Sequence, residues 1–395
     1  MKKKYNNTKK ILAIGPRVQS ESGNVTGPSM MFDLLMKALE TSTWETDIVN
    51  IVDENSLAEN RKVGGFSRSR MLFYIKLLPK ICKKLFIRQN LVYMIIAPTL
   101  AAFIRDAVVI WAAYFLRHRI VCQLFGDYQS FYNGQNTLIK KFISITLSRP
   151  DKIIVEGQLV KSYMAFIRSY EDSVIPISNG LPEVDVKSLI SCKKIANDSS
   201  YNLLYMGNMI ETKGYLDVLQ AVNILVNERG RKINAKFAGK FIVTEDAVKF
   251  SCPDDARNYF LSYLKNNNLE KNVSYSKAIL GEEKRSEFEK AHFFLLPSNY
   301  IFEMQPVSVL EAMAYGAVVI GTDHKLIPDM LQDGVTGSIV PYNSPDSIAD
   351  KIEYLIDNPE IFESFSQNSI NMYNLKFSPD IYCGNVIKVF DQVTN

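Results

Sequence analysis

The stretch YIFEMQPVSVLEAMAYG, residues 300–316, is the most informative part of this chain because it places two carboxylates, Glu303 and Glu311, eight positions apart. Pro306 opens an apolar run between them, and proline is favoured at the first position of a helix, where its missing N–H would be unpaired anyway. The free amides that follow would form an anion site at the start of this helix, which runs to Ala314. A sugar nucleotide has the matching layout, with a diphosphate between hexose hydroxyls and ribose hydroxyls.

A second motif, GNMIETKG at residues 207–214, follows an apolar strand and precedes a helical pattern. Gly207 allows a tight turn, and Lys213 would project toward the same site as the Pro306 helix, where a compact cation suits a buried diphosphate. Taken alone, a lysine before a loop glycine is more often a solvated side chain. Glu311 is different, because an acid among apolar neighbours usually has a partner.

Short apolar runs separated by helical patterns predict two successive alternations of strand and helix. The predicted strands of the first alternation are Lys10–Ile14, Thr46–Val52, Leu91–Ile96, Ile120–Leu124 and Lys152–Val155. Those of the second are Leu203–Met206, Ala235–Ala238, Val273–Tyr275, Phe293–Leu296 and Val318–Gly321. The predicted helices include Met30–Leu39, Thr212–Arg229, Ala256–Asn266, Glu282–Ala291, Pro306–Tyr315 and Asp346–Asp357. This pattern predicts an α/β chain with two doubly wound parallel sheets, joined by a linker at residues 178–186.

Composition narrows the class of protein. The 395 residues suffice for two domains, and the five cysteines are scattered without C-x-x-C spacing, which indicates neither a disulfide framework nor a zinc site. The chain contains three histidines, so we expect no metal site. The segment after the basic start is too short for a signal peptide, and Arg105 and Asp106 interrupt the longest apolar stretch. We therefore expect a cytoplasmic protein.

The charge is unevenly distributed. Residues 1–180 hold 25 lysines and arginines against 14 acids, and no acid occurs from Asn60 to Ile104. This basic half predicts an anionic partner such as a membrane surface. Within this half, one predicted helix has a basic stripe and an apolar face. The stripe consists of Lys76, Lys80, Lys83, Lys84 and Arg88, and the apolar face of Tyr74, Ile75, Leu78, Ile81, Cys82 and Leu85. That helix is either interfacial, on the inner leaflet, or a surface helix whose apolar face is core. Nucleic acid is not expected, because the aromatics and motifs of such modules are missing.

The motif GNMIETKG, together with EMQPVSVLEAMAYGAVVIGTD and the following IPDMLQDGVTGSIVP, resembles the family 4 retaining glycosyltransferases of the GT-B fold. The likeness covers most of the C-terminal half and is looser in the N-terminal half. It implies two Rossmann-like domains facing across a cleft that holds the active site. It also implies an acceptor-binding domain over residues 1–180, a nucleotide-sugar domain over 181–375, and a C-terminal helix over 376–395 that packs back toward the first domain.

The resemblance assigns roles to particular residues. Glu303 would contact the transferred hexose, Glu311 the ribose, and Lys213 the diphosphate leaving group, without a metal ion or other cofactor. Further donor contacts would come from Gly207, Asn208, Lys240, Ala278, Ile279, Met304, Gln305, Pro306, Val307 and Ser308. A phosphate or acceptor loop would include Gly23, Gly27 and Ser29, with Phe125 and Asp127 nearby, although a loop aspartate is more often a cap.

Two positions depart from the family pattern, since Asn208 stands where arginine is frequent and Phe125 where histidine is frequent. The expected activity is retaining transfer of a hexose-type sugar from a nucleotide diphosphate sugar to a glycan or lipid-linked glycan, in bacterial surface polysaccharide biosynthesis. The expected location is the cytoplasm, with peripheral attachment to the inner face of the membrane. Two alternatives stay open: a sugar-nucleotide 2-epimerase on the same scaffold, and a non-catalytic nucleotide-sugar-binding subunit.

Overall fold

The structure is a computed structural model that describes residues 9–17, 26–52, 68–87, 89–181, 192–196 and 199–395. Gly23, Arg88 and residues 182–186 of the predicted linker lie outside the described residues. The chain divides into two units, one formed by Met1–Pro182 with Pro379–Asn395 and the other by Glu183–Ser378.

The first unit is built on a parallel sheet of six strands. These are β1 (Lys9–Gly15), β2 (Trp44–Asn50), β3 (Leu91–Ile96), β4 (Ile120–Leu124), β5 (Lys152–Val155) and β6 (Val174–Pro176), in the order β2-β1-β3-β4-β5-β6. The helices between them are α1 (Gly27–Glu40), α2 (Arg68–Leu85), α3 (Leu100–Phe115), α4 (Tyr128–Asn133), α5 (Thr137–Leu147), α6 (Gln158–Tyr163) and α7 (Tyr170–Ser173). Strands β3 and β4 are buried along their whole length, which explains their uninterrupted apolar sequences.

The second unit repeats this architecture. Its strands are β7 (Tyr201–Met206), β8 (Ile233–Ala238), β9 (Val273–Ser276), β10 (Phe293–Leu296), β11 (Val318–Thr322) and β12 (Gly337–Val340), in the order β12-β11-β10-β7-β8-β9. Its helices are α8 (Tyr215–Asn223), α9 (Pro253–Asn266), α10 (Gly281–Lys290), α11 (Val307–Ala314), α12 (Ile327–Met330), α13 (Pro345–Asp357) and α14 (Pro359–Lys376). The predicted pair of doubly wound parallel sheets is thus confirmed.

The last helix, α15 (Pro379–Thr394), belongs to the first unit although the second unit precedes it in the chain. Phe390 is fully buried there, with its ring 5.2 Å from that of Tyr93 and 6.0 Å from that of Trp44. Tyr382 donates from its hydroxyl to Gln123 of β4 over 3.2 Å. Helix α15 therefore completes the core on the side of the sheet that also holds α1.

Several predicted boundaries were wrong for identifiable reasons. Strands β6 and β12 were not predicted, because each is short and one contains proline while the other begins with glycine. The predicted helix Thr212–Arg229 is interrupted at Gly214, which has φ 79° and ends a short turn of 3₁₀ helix before α8 begins. Gly27 and Ser29, expected in a loop, lie in the first turn of α1.

The apolar face proposed for the basic helix α2 is partly core. Of the residues predicted for this face, Ile81 and Leu85 are buried, whereas Ile75 is exposed; Leu77 of the same helix is also buried. Of the basic stripe, Lys84 is engaged by Asp47 at 2.6 Å. In the part of the chain that the structure describes, no helix has both the length and the apolar character needed to cross a bilayer.

Candidate functional site

Lys213 and Glu303 meet at the point where the strand order of the second sheet reverses. The chain runs from β7 outward through β8 to β9 and then returns to the other side of β7 with β10. The loop after β7 carries Lys213, and the loop after β10 carries Glu303. Their Nζ and Oε2 atoms are 2.8 Å apart, and both side chains are largely removed from solvent. Ligands of open α/β sheets bind at such switch points, beyond the carboxyl ends of the strands.

Gly214 brings the two loops together. Its φ of 79° favours glycine, and a Cβ added there would lie 2.3 Å from the carbonyl oxygen of Pro297. Two residues before Gly214 on one loop and two residues after Pro297 on the other, the amide of Asn299 donates to the carbonyl of Thr212 over 2.7 Å. The glycine of the K-G pair therefore permits a close backbone approach that sets Lys213 beside the loop of Glu303.

The loop that carries Glu303 is held by its own polar groups. Ser298 is fully buried, and its hydroxyl accepts the amide of Tyr300 over 3.2 Å and lies 3.5 Å from Glu303 Oε2. Thr322 at the end of β11 donates to the carbonyl of Ser298 over 2.5 Å. The ring of Tyr300 lies 5.3 Å from Lys213 Nζ, so the ammonium has an aromatic face on one side and a carboxylate on the other.

Helix α11 begins one residue later than predicted. Pro306 has ψ 117° and precedes the helix as its cap residue, and its carbonyl accepts the amide of Val309 over 3.1 Å. The amides of Val307 and Ser308 are the first of the helix, and amides at this position have no acceptor within it. Val307 and Ser308 are the fourth and fifth residues after Glu303, so we expect an anion at this helix start to lie near the Lys213–Glu303 pair. The side chains of Met304 and Gln305 are buried.

Glu311, in the second turn of α11, is paired with Lys284 of α10, and their Oε1 and Nζ atoms are 2.5 Å apart. Burial raises the pKa of Glu311 above its usual value, and the ammonium of Lys284 opposes that rise. The partner predicted from the apolar surroundings of Glu311 is thus Lys284. This lysine was missed, because it lies on a charged helix that gives no signal for its tertiary contact.

The other predicted donor-binding residues line the same edge of the sheet. Gly207 and Asn208 follow β7, Lys240 follows β8, and Ala278 and Ile279 follow β9. The backbone of Gly207 passes so close to Gly239 that a Cβ on the latter would lie 1.8 Å from the carbonyl oxygen of Gly207. Asn208, Lys240 and Ala278 are exposed. The contact of these residues with a donor stays a prediction.

The residues predicted in the first unit have structural roles. Ser29 forms a capping box with Thr26, in which its hydroxyl accepts the amide of Thr26 over 3.0 Å. Phe125 is buried in the hydrophobic core. The carboxylate of Asp127 caps α4, accepting the amide of Ser130 over 2.9 Å and its hydroxyl over 2.8 Å. Gly27 is half-buried at the start of α1.

An acid that sequence reasoning missed lies at the carboxyl end of β5. Glu156 is buried and accepts the amide of Gly126 over 3.0 Å and the side-chain amide of Asn179 over 2.8 Å. Burial raises the pKa of its carboxyl group, and these two hydrogen bonds oppose the rise. The available signal was an acid directly after a buried strand, the position at which α/β sheets carry functional groups.

Residues 188–372 match the family model of glycosyl transferases group 1. Among curated proteins, the chain is 26% identical over 176 residues to the alpha-D-kanosaminyltransferase of Streptomyces kanamyceticus, covering 45% of this chain and 42% of the relative. It is 26% identical over 245 residues to the capsular polysaccharide biosynthesis glycosyltransferase CapM of Staphylococcus aureus, covering 62% of this chain and 57% of the relative. The matches thus span about half the length of these relatives.

Solved structures resemble the whole chain. A glycosyltransferase from Rickettsia africae superposes with a TM-score of 0.71 at 15% identity, covering 98% of this chain and 99% of its own. Anabaena HepE, solved in complex with UDP-glucose, superposes with a TM-score of 0.66 at 13% identity, covering 97% of this chain and 99% of the HepE chain. These likenesses establish the predicted GT-B fold. The chain thus has the GT-B fold, and its residues 188–372 are similar to the glycosyl transferases group 1 family.

Proposed function

We propose that this chain is a retaining, metal-independent hexosyltransferase. It moves a hexose-type sugar from a nucleotide diphosphate sugar to a hydroxyl of a glycan or lipid-linked glycan, in the assembly of a bacterial surface polysaccharide. The observation that carries the proposal is the ion pair of Lys213 and Glu303, at 2.8 Å, with Glu303 on the loop that leads into the start of α11 at Val307.

Lys213 and the first amides of α11 stabilise the leaving diphosphate. A cation and preorganised N–H donors aimed at developing negative charge are the usual means of stabilising such a leaving group. The ammonium is partly shielded from water, which strengthens its interaction with an anion. In this proposal Lys213 and the helix start occupy the place that a metal ion takes in other diphosphate sites.

Glu303 positions the hexose, and transfer proceeds on one face of the sugar. The bond between the anomeric carbon and the phosphate oxygen breaks while a bond to the acceptor oxygen forms on the same side. The leaving phosphate oxygen takes the proton of the acceptor hydroxyl, so charge and atoms balance without a protein base. This route fits a site in which the buried acid is already engaged by Lys213 and is not a free nucleophile.

Glu311 binds the ribose hydroxyls, with Lys284 holding its carboxylate in the ionised form. The names of similar proteins support the biological setting, since CapM is named for capsular polysaccharide biosynthesis. HepE was solved with UDP-glucose, which supports a nucleotide sugar as donor.

The test is turnover of wild type and Lys213→Ala with a panel of nucleotide diphosphate sugars, with and without a mixture of glycan acceptors. Thermal shifts select the donor, because a ligand at 100 times its dissociation constant adds about 2.7 kcal/mol of stability. We expect the wild type to release nucleoside diphosphate, and Lys213→Ala to lower turnover by roughly 10²–10³. Proton NMR of the glycan product should show the anomeric configuration of the donor.

Lys265→Ala is the matched control, because Lys265 is an exposed lysine of α9 in the same unit. A folded Lys213→Ala enzyme with full turnover would contradict the assignment. A new sugar nucleotide formed without acceptor would indicate an epimerase instead. Donor binding without nucleoside diphosphate release in either condition would indicate a binding subunit.

A further inference from the structure

Helices α2, α3 and α5 cover one face of the first sheet. The connections from β2 to β3, from β3 to β4 and from β4 to β5 all advance in the same direction along the sheet, so right-handed crossovers place these helices on a common side. Helix α2 contacts α3 where the Arg105 guanidinium lies 4.6 Å from the ring centroid of Tyr74. Helix α3 contacts α5 through the rings of Phe103 and Phe142, 6.0 Å apart.

The outward surface of α3 is apolar. Ile104, Val108 and Phe115 recur on one stripe of the helix and are exposed, Phe115 by 72%. The two charged residues of α3, Arg105 and Asp106, are buried and paired with each other at 2.6 Å. Helix α3 thus presents hydrocarbon to solvent along its length, which a surface helix of a soluble domain does not normally do.

Helices α5 and α2 extend this surface. Leu138, Phe142 and Ile145 follow the i, i+4, i+7 spacing of one face of α5 and are exposed, Leu138 by 80%. On α2, Ile75 is exposed beside the basic stripe. We call the outward surface of the three helices the α3 face, defined by Ile75, Ile104, Val108, Phe115, Leu138, Phe142 and Ile145.

The α3 face is flanked by positive charge. Lys76, Lys80 and Lys83 of α2 and Lys141 of α5 are exposed on either side of α3. Neither α2 nor α5 contains an aspartate or glutamate. The face therefore joins exposed apolar side chains of all three helices with a basic border that α2 and α5 supply.

We propose that the α3 face docks on the surface of a bilayer that contains anionic phospholipids. The apolar side chains insert at the level of the headgroups and upper acyl chains, and the lysines bind lipid phosphates. This inference does not depend on the glycosyltransferase activity. The proposed membrane contact differs from the one expected from sequence, which lay on α2. Leu77, Ile81 and Leu85 of α2 belong to the core, and the inserting side chains come mainly from α3 and α5.

The charges argue against a second copy as the occupant. A two-fold symmetric contact places the same patch on both partners, so the lysine borders of two copies would face each other or the apolar centre. Without acids on α2 or α5, such a contact would leave like charges unpaired. A plane of anionic headgroups, in contrast, pairs with every exposed lysine at once.

The chain contains its own reporter of docking. It has two tryptophans; Trp111 lies on α3 with its ring 5.6 Å from that of Phe115, whereas Trp44 is buried against α15. Quenching by brominated acyl chains should therefore act on Trp111. We expect the full chain to bind vesicles of phosphatidylcholine with phosphatidylglycerol, with Trp111 quenched, and to bind phosphatidylcholine alone far more weakly.

Two sets of variants test the two components of the face. Replacing Lys76, Lys80 and Lys83 together by Gln should weaken binding to anionic vesicles by about 10²-fold, because each lysine near the surface contributes about one order of magnitude or slightly less. Phe115→Ser with Leu138→Ser should abolish quenching of Trp111. The matched control is Val248→Ser with Leu375→Ser, two exposed apolar residues of the other unit.

Circular dichroism checks that the variants fold, as expected for exposed positions. No binding of the wild type to anionic vesicles would overturn the proposal, as would equal losses from the face and control variants. Sedimentation that shows a dimer abolished by Phe115→Ser, without vesicle binding, would make the face a self-contact and would likewise overturn it.

Discussion

At the residue scale, Lys284 and Glu311 form an ion pair whose members lie on different helices of the second unit. In the proposed function a ribose hydroxyl donates to the carboxylate of Glu311, so we expect donor binding to require the ionised form of this residue. Burial raises the pKa of Glu311 and Lys284 opposes that rise. Donor binding should therefore weaken as pH falls through a pKa that lies above the ordinary range of glutamate.

Lys284→Met removes the ammonium, so the pKa of Glu311 should rise further. We expect the acid limb of kcat/KM for the donor to move to higher pH, with little change well above the pKa of Glu311. Lys284→Arg keeps the charge and should retain the wild-type profile. Lys290→Met, an exposed lysine of the same helix, is the control. Superimposable profiles of wild type and Lys284→Met would rule out this positioning role.

The sequence pointed to three charged residues of the candidate site but not to the residues that surround them. Glu303, Glu311 and Lys213 were identified from their spacing around a helix start and a K-G pair, and the structure brings Lys213 and Glu303 together. Phe125 lies in the hydrophobic core, because a residue at the carboxyl end of a strand can point either into the core or out of it, and its contact with substrate stays a prediction. Lys284 could not be found, because its pairing depends on how α10 packs.

At the element scale, the loop after β7 depends on a single backbone conformation. Gly214 combines a positive φ with a close approach to Pro297, whereas Gly230 has φ 65° and no atom within 4 Å of an added Cβ. The two glycines therefore separate the cost of the dihedral angle from the cost of the collision.

Gly230→Ala should lower the free energy of unfolding by about 1–2 kcal/mol, the cost of the left-handed conformation, and should leave turnover unchanged. Gly214→Ala should cost more and should also lower turnover, because relieving the collision moves Lys213 away from Glu303. Urea denaturation and the donor assay measure the two effects. Equal stability losses, with full turnover in both variants, would contradict the role assigned to Gly214.

Element type was predictable because continuous apolar runs indicate buried parallel strands and 3.6-residue periods indicate helices. The residues at which helices and strands begin and end were less predictable. Pro306 is compatible with either the first helical position or the position before it, and its ψ of 117° is decided by the chain on both sides. Thr212–Arg229 has a helical pattern throughout, yet Gly214 divides it and its last part, Ile224–Glu228, is a π-helix.

At the scale of the whole molecule, the chain returns to its first unit after completing the second. Phe390 of α15 packs on Tyr93 and Trp44 and is fully buried. The first unit thus depends on residues that follow the second unit in the chain, and these residues contribute to its core. The sequence predicted that the last helix packs toward the first unit only through the resemblance to GT-B enzymes.

Phe390→Ala should destabilise the first unit by about 3–5 kcal/mol, the usual cost of removing a buried phenylalanine side chain. Leu375→Ala, at an exposed position of α14, should change stability by about 0.5 kcal/mol or less. The fluorescence of Trp44, followed during urea denaturation, reports on the core that contains Phe390. An unchanged midpoint for Phe390→Ala would show that α15 is not an essential part of that core.

We propose above that Lys213 and the start of α11 bind the diphosphate while Glu311 binds the ribose. A crystal structure with the nucleoside diphosphate selected by thermal shift tests this most directly. We expect phosphate oxygens within hydrogen-bond distance of Lys213 Nζ and of the amides of Val307 or Ser308, with ribose hydroxyls on Glu311. A diphosphate bound away from these groups, with the Lys213–Glu303 pair untouched, would contradict it.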